Sequence, residues 1–444
     1  MKRRWPGNMK KTLLVLIISL LLASTAYADL FTKFGSFSLN TNTGNQSIAG
    51  VGFRPKIVLF WGGTAGNDAL GTFGVATSSS SRWAGGYRYG YHQPSVVASR
   101  SFKTDRCIAF MTAANISSEA DFVSTDSDGF TINVTNATST VRTIYYLALG
   151  GDSLLTSIGT MTYPAKGSEG DQSVKGVGFQ PKVVLNMTTT HGTVPTVQLG
   201  KSEIFLGCGT SGSEMWTSAA RFGRTNDEPS RVWTNQRSDR WHYVTKYDGT
   251  VNVSGTFVSM DSNGFTVNWS NLHLARVIGW IALGGDIAAK CGSFDQPTSM
   301  GNQSQSGFGF RPRAILFVSA GHIASNGRVL DAHYSLGCAT SSSARGVYST
   351  TATDSLSTTD GSSVSDAAQC IENISGSSPT VDSAADFISN DSDGFTINWT
   401  TADSTAREIV YFAIGATSKG GGGAAMLRNA VMTDGMKEMT GGMR

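Results

Sequence analysis

Residues 395–399 read FTINW, in which Phe395, Ile397 and Trp399 alternate with Thr396 and Asn398. A period of two sends successive side chains to opposite faces of a strand, one face toward a core and the other toward solvent. Nearly the same words begin at Phe130 (FTINV) and Phe265 (FTVNW). Residues 56–61 (KIVLFW) do not alternate. Their unbroken β-branched and aromatic run predicts a strand covered on both faces, entered through Pro55, whose fixed φ and missing N–H suit a strand's first position. No stretch between residues 29 and 416 carries a persuasive helical period. Short strands joined by Gly-rich turns predict an all-β chain of antiparallel sandwiches.

The pattern is written three times. QSIAGVGFRPKIVLF from Gln46, QSVKGVGFQPKVVLN from Gln172 and QSQSGFGFRPRAILF from Gln303 are one motif. Before it stand FGSF at Phe34, IGTM at Ile158 and CGSF at Cys291; after it come GVATSSSS at Gly74, GCGTSGSE at Gly207 and GCATSSSA at Gly337. A hairpin follows (DSDGFTINVT, DSNGFTVNWS and DSDGFTINWT), and then a closing strand from Arg142, Arg276 or Arg407. Markers that keep their order predict tandem domains over residues 29–152, 153–286 and 287–416. The copies differ most between the second and fourth markers, where loops and binding surfaces belong.

Residues 1–28 stand apart. A basic start, an apolar run from Leu13 to Leu22 and an Ala26-Tyr27-Ala28 ending read as a cleavable export signal, with Met9 an alternative start, and predict a secreted or cell-surface protein with no membrane span in the mature chain. Removing the leader's five cations takes the formal charge from +3 to −2, too little positive field for nucleic acid. Residues 417–444 open with a Gly-rich linker and continue into a Met-rich tail, a disordered terminus or a short docking helix.

Asp-x-Asp-Gly resembles the start of a calcium loop, but no Glu follows at the needed spacing and the middle copy has Asn263. A hairpin turn accounts for the motif better. Arg142, Arg276 and Arg407 share one register; each is expected to cap its sandwich through an acid or turn carbonyls, with carboxylate recognition as the alternative. Of the five cysteines, Cys338 and Cys370 fall in one copy and form the expected pair, although connectivity stays open, while Cys291 replaces Phe34 and Ile158 and reads as a buried apolar position. Sequons such as those at Asn115 and Asn268 carry little weight in so Asn- and Ser-rich a chain.

Catalytic signatures do not emerge. HExxH, GxSxG and the P-loop are missing, the six His lack metal spacing, and GCGTSG at Gly207 has no βαβ surroundings, so neither enzyme, metal nor cofactor is expected. Binding has more to stand on. Trp83, Tyr87, Tyr89, Tyr91 and His92 crowd one polar, Gly-containing segment, and Trp233, Trp241 and His242 crowd its counterpart. Such rings suit a sugar face or a protein interface, or else they face the core. In the third copy the same region is Ser/Thr-rich.

GFRPKIVLFWGG, DSDGFTINV and YYLALGG resemble a β-sandwich module of phage tail-associated and bacterial surface proteins, and the likeness spans residues 31–416. More distantly, the Gly-Phe-Thr strand and the following aliphatic strand are similar to the H-type lectin domain, which implies a lectin-like or jelly-roll sandwich, sugar binding and trimer formation. No sugar-binding residue carries over, and a fold does not confer a function. The expectation is an exported, non-enzymatic binding or adhesion protein with a surface glycan or protein partner. The alternative is a structural subunit of an extracellular or viral assembly, and a homo-oligomer is compatible with either.

Overall fold

The computed structural model describes residues 29–417 except 91–97, 113–114, 192–196, 224–229, 274, 322, 324–326 and 377. The leader, and all of the tail after Thr417, lie outside the described residues. Every named element is a β-strand, and every strand pairing is antiparallel.

The first copy contributes β1 (Phe31–Leu39), β2 (Gly44–Ala49), β3 (Pro55–Gly63), β4 (Ala69–Ser78), β5 (Ser81–Tyr89), β6 (Ser99–Lys103), β7 (Ile108–Met111), β8 (Ile116–Asp126), β9 (Gly129–Asn136) and β10 (Arg142–Gly150). A large sheet runs β1-β10-β3-β4-β5-β6, and a four-stranded sheet runs β2-β9-β8-β7. The second and third copies repeat this order.

Alternation along β3 and β10 accounts for the double-faced run. Val58, Phe60, Ile144 and Tyr146 turn outward to meet Phe122, Phe130 and Ile132 of the small sheet, making the first copy's own core. Ile57, Leu59, Trp61, Tyr145 and Leu147 turn the other way, into a core that also holds Leu185, Leu206 and Ile281 of the second copy and Leu316, Leu336 and Phe412 of the third. The other two copies have outer cores of the same kind. Leu30–Thr417 is accordingly one compact unit.

Strand exchange closes the three copies on one another. Val197–Leu199 of the second copy pairs with β6 of the first, and Gly327–Leu330 of the third pairs with Arg231–Arg237 of the second. In the first copy Gly66, on the equivalent connection, bridges Ser363 of the third through two backbone bonds of 2.9 Å. One edge of the first and second large sheets is thus paired with a strand of the next copy, and the corresponding edge of the third is met by the Gly66 bridge, which shortens the unpaired N–H and C=O row an open edge would present.

The shared words of the repeat now have reasons. Asp128 and Asp393 accept backbone N–H bonds from Gly50 and Gly52, and from Gly307 and Gly309, while Asn263 does this for Gly178. Asp126, Asp261 and Asp391 accept hydroxyl bonds from Ser124 and Thr131, Ser259 and Thr266, and Ser389 and Thr396. Their oxygens are used by donors, as a turn requires. Gly74, Gly207 and Gly337 each lie against the carbonyl of Cys107, Trp241 or Cys370, and a Cβ there would overlap it.

The cysteine pairing differs from the expected one. Cys338 faces the common core and Cys370 the outer core of its copy, so the large sheet lies between the two thiols. The disulfide instead joins Cys208 of the second copy to Cys291 of the third, with Cα atoms 6.0 Å apart. Cys291 is buried, as its apolar counterparts imply, but it is not inert.

Candidate functional site

The aromatic segments are distributed differently from a single exposed patch. Trp83, Tyr87, Tyr89, Trp241 and His242 are at most 2% exposed. Tyr87 and Tyr89 alternate with Arg88 on β5 and stack on Phe222 of the second copy at 6.4 and 5.4 Å between centroids, while Trp83 packs over Gly279. These rings join copies. Trp241 and His242 lie in the second copy's outer layer beside Phe265, Tyr163 and Trp269. Tyr91 and His92 lie outside the described residues. Trp233 borders a cleft.

That cleft has two equivalents. Counting from the turn aspartates Asp126, Asp261 and Asp391, the recurring arginine follows at position 16, 15 or 16, a second residue (Thr138, His273 or Asp403) at position 12, and a third (Ser117, Asn252 or Asp382) lies nine before. In every copy the three side chains line one cleft, of about 580 Å³ in the first and second copies and about 350 Å³ in the third. The framework is common and the chemistry differs.

In the third copy the charge is spent internally. Arg407 donates through Nε and Nη2 to Asp403 at 3.0 and 2.7 Å, and Nη2 also reaches Asp382 at 3.4 Å. The capping role expected for the arginine is thus met by two acids.

The second copy's cleft is cationic. Among the described residues, Lys201, Arg221, Arg231, Lys246 and Arg276 line it against two carboxylates, Glu203 and Asp248. Glu203 is already engaged: buried, it pairs with Arg100 of the first copy at 2.5 Å and with Arg221. Burial opposes its ionisation, but the charges of Arg100, Arg221 and Arg276 outweigh that and hold it below the usual carboxylate range. Lys201 is pulled below its ordinary value by burial and then by Arg221, a sign of crowded positive charge. Arg221 lies 4.7 Å over the Trp233 ring, and Arg231 and Arg328 lie 5.0 and 5.5 Å from the Tyr247 ring. The aromatics therefore hold guanidinium groups in place and present positive charge, not bare ring faces, to the cleft. Among the described residues no group of three or more His, Cys, Asp and Glu could hold a metal ion.

Lys201, Arg231 and Lys246 come from three separate segments, so spacing could not have united them. The one available signal was the arginine register. No family model matches this chain, and no curated protein matches it either.

Proposed function

We propose that this is an exported protein of three lectin-like, jelly-roll β-sandwich modules that attaches to a surface by binding an acidic glycan, without catalysis, and that the second copy's cleft is its ligand site. The observation that carries this reading is an excess of three positive charges among the described residues that line one cleft of a chain whose formal charge without its leader is −2. Guanidinium groups held by ring stacking are preorganised for carboxylate or sulfate oxygens, and a cleft of about 580 Å³ leaves room for hydroxylated rings. A glycan array read at low and high salt is the test. Signal on uronate- or sulfate-bearing glycans, falling with salt and at least tenfold weaker in Arg231→Gln with Lys246→Gln, is expected; equal signal on neutral glycans would overturn it.

One observation favours a second reading, a subunit of a larger assembly. Val123, Val258 and Ile388 occupy one register position in the three copies and are 38, 43 and 42% exposed, offering one apolar point on each small sheet. Concentration-dependent association in sedimentation, abolished by Val123→Ser, Val258→Ser and Ile388→Ser together, would support that reading, and a monomer at all concentrations would dismiss it.

A further inference from the structure

We propose that the first copy carries a separate site for a carboxylate-bearing sugar, with Arg142 as the residue that grips the carboxylate. Arg142 lines the first copy's cleft yet is only 5% exposed. Its Nη2 donates to Ser117 Oγ at 2.9 Å, and its guanidinium lies 4.4 Å over the Phe110 ring. Nε and Nη1 have no partner; Nε and the second N–H of Nη2 form the fork edge, the same two atoms by which Arg407 holds Asp403 in the third copy. Burial lowers its pKa to about 10, which leaves the group charged at neutral pH.

The third copy indicates what is missing. Asp382 and Asp403, which satisfy Arg407, occupy the register positions of Ser117 and Thr138. The first copy has kept the buried arginine and replaced both of its acids by hydroxyls. A buried guanidinium with unmet donors is costly, and a ligand carboxylate arriving where Asp403 stands in the third copy would take Nε and the second N–H of Nη2 with the two-point geometry that arginine favours. The rest of the lining suits a polyol: Thr112, Thr138 and Thr140 supply hydroxyls. Arg88, paired with Asp68 through Nε at 3.1 Å, keeps Nη1 unpartnered.

This site does not depend on the second copy's cleft, and calorimetric titration of the full mature chain with sodium glucuronate can separate the two. Wild type is expected to bind glucuronate and to ignore glucose. Arg231→Gln with Lys246→Gln, which removes the second copy's share of uronate binding, is expected to retain a glucuronate site. Thr138→Asp added to that background, which gives Arg142 the internal partner that the third copy already tolerates, is expected to weaken the remaining binding at least tenfold while the melting temperature holds or rises. Equal affinity of wild type for glucose and glucuronate, or an undiminished affinity when Thr138→Asp is added, would overturn the proposal. Loss of binding in the second-copy variant alone would also overturn it, and would assign the carboxylate to the other cleft. A glucuronate-ended oligosaccharide that binds more tightly than the free sugar acid would identify a chain end as the natural source; equal affinity would identify the free acid.

Discussion

His242 shows how burial turns an expected ligand residue into a determinant of stability. Its ring is enclosed by Tyr163, Phe205 and Trp269, with Nδ1 3.4 Å from Asn186 Oδ1. Burial pushes its pKa down to about 4. A base held neutral in the folded state stabilises fully above its ordinary value of about 6.5, and that stability drains away as pH falls toward 4, because the unfolded chain takes up the proton first. Urea unfolding at about pH 7 and about pH 4.5 should therefore cost wild type roughly 2 kcal/mol more than it costs His242→Gln. Equal losses would mean that the ring is hydrated.

At the scale of elements, pairing and ion bonding coincide where the second copy's exchanged strand meets β6. Arg100 and Gln198 are register partners, and Arg100 donates to Gln198 Oε1 through Nε at 3.0 Å while its Nη1 engages Glu203. Removing one partner of a buried pair leaves the other short of compensation, so Arg100→Met should destabilise by roughly 3–5 kcal/mol in denaturant unfolding, less whatever Arg221 and Arg276 recover for Glu203. A change within error would show the exchange to be held by backbone pairing alone. The sequence made the strands themselves legible, since alternation in FTINW and unbroken apolarity in KIVLFW are local consequences of which faces are covered. It did not reveal what covers the second face. Tyr87 and Tyr89 left both a ligand wall and a core open in the sequence, because the ring they meet, Phe222, lies in another copy. The three-residue strand Val197–Leu199 has no signature of its own, because edge pairing uses main-chain groups that every residue carries.

For the molecule as a whole, triplication supplied three sheet pairs and then bound them into one body. The common core, the two exchanged strands with the Gly66–Ser363 bridge, and the disulfide between Cys208 and Cys291 all cross the boundaries that the repeats mark in the sequence. Variation among the copies is free to fall on the three equivalent clefts, where one register position carries Ser117, Asn252 or Asp382 without disturbing the frame. That is how one framework can hold a neutralised arginine, a cationic cleft and an unmet guanidinium. Solution scattering of the Leu30–Thr417 body tests this most directly. Three copies around one core predict a radius of gyration of about 21 Å, whereas a radius above roughly 30 Å, that of three separate bodies in a row, would contradict the account.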